Sequence, residues 1–149
     1  MRLLRNTPQV ITDLLAHSFP IHAGESEVTE LTRKVSAYYP RIDDVDTEWV
    51  VALFAEDAVY FRADAVYAGR VAIARFFCEE RKIRGRHTID RMWTDHSSAS
   101  VVAVGRFDGQ GLSGDARSVR FADVWQFNEA GLVTQRQTYL ALGHEYVER

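Results

Sequence analysis

"FADVWQFNEAG", residues 121–131, is the stretch that decides how this chain folds. In an extended strand successive side chains point to opposite faces, so Phe121, Asp123, Trp125 and Phe127 lie together. The other face carries Ala122, Val124 and Gln126, which makes the odd face the more apolar and places it inward. Asp123 goes inward with it. A carboxylate among aromatics is costly unless it is paired, protonated or put to use. "NEAG" (128–131) then supplies a turn.

Working outward, the period of two holds from His87 to the end of the domain. It predicts strands over 87–94, 99–109, 116–128 and 132–141, separated by "TDHSS", "GQGLSGD" and "NEAG". Within 99–109, Val101, Ala103, Gly105 and Phe107 face inward, and Arg106 and Asp108 face outward. Phe107 beside small neighbours suggests a wall with space in front of it. In 87–94, His87, Ile89, Arg91 and Trp93 share the face read as inner.

Upstream of His87 the period is helical. Val28, Leu31, Val35, Tyr38 and Tyr39 form the stripe of a helix that starts near Ser26 and is stopped by Pro40. Asp46 is a good N-cap for a second helix burying Val50, Leu53 and Phe54. A strand comes next over 58–64, where burial alone favours Val59, Phe61 and Ala63 inside and turns Tyr60, Arg62 and Asp64 outward. A third helix starts after Gly69, buries Ile73, Phe76 and Phe77, and ends in "RKIRGR" (81–86), basic residues suited to the negative end of a helix dipole. Helices first and an antiparallel meander after them imply an α+β fold with helices covering one face of a curved sheet. Thr7-Pro8 opens a short helix over 8–17, and "PIHAGESE" reads as a linker. Residues 1–25 are therefore an N-terminal extension and 26–149 the main domain.

At 149 residues the chain fits one domain with a real core, and 46% hydrophobic with 26% charged residues is ordinary globular composition. A net charge of −3 and a pI near 5.9 give no pull toward nucleic acid or an anionic membrane. Cys78 is alone, which excludes a disulfide framework within the chain and points to a reducing compartment. The five histidines (17, 22, 87, 96, 144) show neither HxxxH nor paired Cys/His spacing, so no metal is expected. The first residues lack the continuous apolar run of a signal peptide, and no stretch is long enough to span a bilayer. A cytoplasmic protein is expected.

"ALFAEDAVY" (52–60) after a helix, "YAGRVAIARFF" (67–77) and "FADVWQFNEAGLVTQRQTYL" (121–140) resemble the nuclear transport factor 2-like superfamily. Within it the chain is similar to ketosteroid isomerases and SnoaL-like polyketide cyclases, over roughly 27–141. The resemblance implies a cone: a strongly bent, mixed or antiparallel sheet wrapped around three helices, with a deep apolar cavity. It also implies a homodimer joined through the outer face of the sheet. Tyr38 matches the oxyanion-hole tyrosine of the family, and Asp123 its partner, an acid that stays neutral and donates a hydrogen bond. The general-base aspartate does not carry over: its position is Arg62, with Asp64 two residues on.

With these residues, the resemblance implies a cofactor-free cyclase or isomerase acting on a hydrophobic, carbonyl-bearing metabolite such as a polyketide intermediate. Asp123 and Tyr38 would stabilise an enolate, and His87 or Asp64 would move the proton. Arg62, if inward, would hold an enolate or carboxylate. Tyr60, Trp93, Phe107, Trp125 and Tyr139 are the candidate cavity wall, with core packing as the alternative for each. "RKIRGR" is either a solvated helix end or a docking patch for an acidic carrier protein. Two further readings stand beside the cyclase. One is a limonene-type epoxide hydrolase using Arg106 and Asp108, although the alternation turns both outward and Thr138 stands at the third carboxylate position. The other is a non-catalytic ligand-binding or dimerisation domain.

Overall fold

The computed structural model describes residues 22–63, 65–95 and 97–141. The helix expected over 8–17 and Asp64 lie outside them. Three helices pack on one six-stranded mixed sheet: α1 (His22–Asp43), α2 (Thr47–Ala52), β1 (Phe54–Arg62), β2 (Ala65–Ala68), α3 (Arg70–Arg75), β3 (Arg84–Asp95), β4 (Ser100–Gln110), β5 (Ala116–Phe127) and β6 (Val133–Ala141). The strand order is β2-β1-β6-β5-β4-β3. Only β1 and β6 run parallel; the other pairs are antiparallel. This is the expected cone, an α+β fold with a curved, unclosed sheet.

The helix α1 buries Leu31, Val35, Tyr38, Tyr39 and Ile42, a stripe at helical spacing that faces the sheet. Pro40 does not stop it. The helix runs one turn further, to Asp43, because Pro40 forfeits only its own N–H bond, and Ser36, whose carbonyl that bond would use, lies on the exposed side. At its other end α1 begins at His22, inside the stretch read as a linker. Asp46 caps α2 as expected, accepting from the Trp49 N–H at 3.3 Å. That helix ends at Ala52, so Phe54 opens β1 four residues before the expected strand start, with a register irregularity between Phe54 and Val59.

After α3 the backbone widens into a π-helical turn, Phe76–Glu80, closed by the Arg81 N–H on the Phe76 carbonyl at 2.8 Å. Such turns recur at functional sites. This one buries both Phe76 and Phe77, neighbours in sequence, and delivers Arg81 to the inner side of the sheet. The strands β4 and β5 keep the expected phase throughout: Val101, Ala103, Phe107, Phe121, Asp123, Trp125 and Phe127 are all buried.

The phase of β3 changes midway. Its pairing with β4 slips between Ile89 and Arg91, so one extra residue is inserted there. Before the slip His87 and Ile89 face inward; after it Met92 and Thr94 do. Trp93 is consequently half-exposed on the outer face, stacked by Arg91 at 5.7 Å, and is not part of the inner wall. Tyr139 is also outside, half-exposed, because Arg136, Thr138 and Leu140 take the inner face of β6.

Candidate functional site

A cavity of about 90 Å³ opens between the concave face of the sheet and the helices. Its apolar walls are Phe76 and Phe77 from the π turn, Ile83, Phe107 on β4, and Val119 and Phe121 on β5. Two glycines let the Phe107 ring lie flat against the sheet. A Cβ on Gly85 or Gly109 would stand 2.2 Å from a backbone oxygen and 2.7 or 2.6 Å from that ring. Its polar lining is Tyr38, Tyr60, Arg62, Arg81, His87, Asp123, Arg136 and Thr138.

The structure answers why Asp123 lies on an apolar face: it has a buried cation. Arg136 Nη2 donates to Asp123 Oδ2 at 2.9 Å, and both side chains are almost fully buried. The Tyr39 hydroxyl donates to the same oxygen at 2.8 Å, and Thr138 Oγ1 donates to Oδ1 at 2.5 Å. Since Thr138 has one hydrogen and spends it there, the Tyr60 hydroxyl must be the donor in its 3.2 Å bond to Thr138. Three donors therefore converge on Asp123. The expected neutral acid, donating to a ligand beside Tyr38, is replaced by a carboxylate that accepts from Arg136, Tyr39 and Thr138. Its tyrosine partner is Tyr39, one residue along α1.

Tyr38 has a different neighbour. Arg136 Nη1 donates to its hydroxyl oxygen at 2.5 Å, and the guanidinium also stacks on the rings of Tyr38, Trp125 and Tyr60 at 4.4, 4.4 and 4.6 Å. Burial holds the Tyr38 phenol above its ordinary pKa, so it keeps its hydrogen. With its oxygen already accepting from Arg136, that hydrogen is left for whatever occupies the cavity. Burial would lower the Arg136 guanidinium, but the Asp123 carboxylate holds it well above its usual value. Trp125 is fully buried against Arg136 and supports this cation without lining the cavity.

Across the cavity His87 is fixed by Asp43 in the last turn of α1. Asp43 Oδ2 accepts the His87 backbone N–H at 2.8 Å, and Oδ1 sits 2.5 Å from Nδ1. The carboxylate takes the Nδ1 hydrogen of a neutral imidazole, which leaves Nε2 as a proton acceptor. Burial lowers the His87 pKa from its ordinary 6.5, while the bond to Asp43 pulls the other way. The ring is held between Phe107, Phe121 and Tyr39.

Arg62 lines the cavity, opposite to what burial alone implied. Tyr60, two residues before it, is buried, and Val59 and Phe61 are only partly covered. Its guanidinium lies 5.3 Å from the Phe76 ring. Arg106 and Asp108 are on the outer face as expected, paired at 2.6 Å and half-exposed, with Ser118 bonded to Asp108. Of "RKIRGR", Arg81 faces the cavity, whereas Arg84 and Arg86 are exposed and Arg86 pairs with Asp44. Among the described residues no group of three or more His, Cys, Asp or Glu could hold a metal, and no helix is long and apolar enough to cross a membrane.

Sequence reasoning passed over Asp43 and Arg136, and read Arg81 only as part of a solvated helix end or docking patch. For Arg136 a signal was available: an inward Asp123 needs a cation, and Arg136 lies two residues before Thr138, its cross-strand neighbour.

A bent sheet closing over helices, with a polar-lined cavity at its concave face, defines a cone-shaped α+β domain of the nuclear transport factor 2-like type. The model of the SnoaL-like domain matches residues 35–136, and the chain belongs to that family. No curated protein matches it. Among solved structures, an M. tuberculosis LEH-like epoxide hydrolase superposes with a TM-score of 0.68 at 19% identity, covering 78% of this chain and 86% of that one. A candidate SnoaL-like polyketide cyclase from Shewanella denitrificans OS-217 gives 0.66 at 14% identity, over 75% and 90%. A protein with a ketosteroid isomerase-like fold from Catenulispora acidiphila DSM 44928 gives 0.64 at 20%, over 73% and 85%. At these identities the likeness is one of fold.

Proposed function

We propose that the cavity is the active site of a cyclase or isomerase that moves a proton beside a carbonyl of a compact hydrophobic metabolite, a polyketide-type intermediate in keeping with the family. One observation carries this reading. A single cavity presents His87, oriented by Asp43, and the Tyr38 hydroxyl, backed by Arg136. His87 Nε2 takes a proton from the carbon next to the carbonyl, and Tyr38 donates its hydrogen bond to the carbonyl oxygen as negative charge develops there. Arg136 positions Tyr38 and offsets that charge; Asp123 keeps Arg136 in place. Donor and acceptor are both supplied by side chains, so the step is written without a cofactor. The outward Arg106–Asp108 pair gives the epoxide hydrolase reading no support.

The test is exchange of α-protons in D2O, monitored by NMR on small ketones such as acetophenone and 2-tetralone. Wild-type protein should accelerate exchange, and His87→Gln should lower that rate by about 10²-fold or more with the fold retained. Equal rates in the two proteins, or no acceleration for any ketone, would refute the reading.

A second proposal concerns assembly. The half-exposed Trp93 and Tyr139 continue across the outer face with Val102, Val104, Ala122 and Val124, in registered cross-strand rows. This apolar face suits the homodimer that the family resemblance implies.

A further inference from the structure

We infer that the ligand of this cavity carries a carboxylate, seated between Arg62 and Arg81, with its apolar body against Phe107 and Phe121. The inference rests on the cavity being the active site and adds the substrate class. Its first support is charge. Among the described residues three guanidiniums line the cavity, Arg62, Arg81 and Arg136, against one lining carboxylate, Asp123, and one more, Asp43, behind His87. With His87 neutral, these described groups carry three positive charges and two negative, one positive charge in excess. A monoanion balances it; a phosphate dianion overshoots.

Position is the second support. Asp123 is fully engaged by Arg136 and Asp43 by His87, and neither Arg62 nor Arg81 makes an ion pair with a described carboxylate. Both are partly buried and project from different elements, β1 and the end of the π turn, to the one cavity. Burial lowers the Arg81 pKa, the mark of a cation whose lost hydration is not made good. A carboxylate between planar guanidiniums restores it through charge-assisted bonds. The third support is size. About 90 Å³ is well below the ~300 Å³ at which pockets for drug-sized ligands begin, so the acid is compact.

Titration calorimetry with phenylacetate, methyl phenylacetate and inorganic phosphate tests this on the intact protein. Phenylacetate should bind about tenfold or more tightly than its ester and than phosphate. Arg62→Met and Arg81→Met should each weaken it by about tenfold, and the wild-type comparison of acid with ester needs no variant to fold. An ester that binds as well as the acid, tighter binding of phosphate, affinity unchanged in both variants, or no saturation by about 10 mM would each overturn the inference. Because only binding is read, acid preference without α-proton exchange would sink the proton-transfer reading alone. Exchange without acid preference would sink this one alone.

Discussion

The concave face of the sheet buries an arginine and an aspartate, whereas the convex face exposes a tryptophan and a tyrosine. The side chains of Arg136 and Asp123 are 4% and 1% exposed, and Trp93 and Tyr139 are 50% and 53% exposed. Inside, removing two charges from water costs on the order of several kcal/mol per ion, and only close pairing with further hydrogen bonds offsets it. Tyr38, Tyr39 and Thr138 supply such bonds to Arg136 and Asp123, with the buried Arg136 Nε–H left without a partner. Outside, among the described residues, the two aromatic side chains stay half-exposed. What the contrast teaches is that polarity does not sort residues between these faces. Within, pairing does so.

The contrast breaks most sharply at Arg136. Arg136→Met leaves Asp123 buried without its cation and should cost about 3–5 kcal/mol in urea unfolding. Adding Asp123→Leu should recover part of that loss; no recovery would mean the pair is not the cause. Next comes acid sensitivity. The unfolded chain protonates His87 near 6.5 and the folded one only at lower pH, so below about 6.5 the unfolded state binds more protons. Stability then falls as pH drops through the folded pKa, and His87→Gln should flatten that part of the stability–pH curve. The groups facing His87 are Asp43, Arg81 and Arg136, and Asp43 is the one that raises it most. Asp43→Asn should therefore move the acid limb of the α-proton exchange rate to lower pH while lowering its plateau. On the convex face, Trp93→Ser with Tyr139→Ser should shift the sedimentation profile toward monomer and leave exchange per site unchanged. The smallest effect belongs to Arg106→Ala, whose exposed ion pair should be dispensable in both melting and exchange assays.

The strands were legible wherever one face is uniformly apolar. The strands β4 and β5 follow the alternation without a slip, and Asp123 was placed inside by it. Reading failed where a single residue changes the phase or one residue was given too much weight. The insertion near Ile89–Arg91 sent Trp93 outward. Pro40, read as a stop, hid the last turn of α1 and Asp43 with it. In β6 the phase changes as well: Val133 is buried, the pairing with β5 slips between Gln126 and Phe127, and Arg136 and Thr138 are the buried residues after it. Beyond the slip, the demand of Asp123 for a partner is satisfied across the strand pair by Arg136.

The π turn at Phe76–Glu80 has a consequence for how this cavity tolerates length change. A π turn is an α-helix carrying one surplus residue. Removing exposed Cys78 would return the segment to α-helical spacing and rotate the chain beyond it by about 100°. Arg81 would then swing off the cavity, taking a positive charge with it. A residue whose side chain faces solvent thus works as a spacer, and the electrostatic character of the pocket hangs on its presence and hardly at all on its identity.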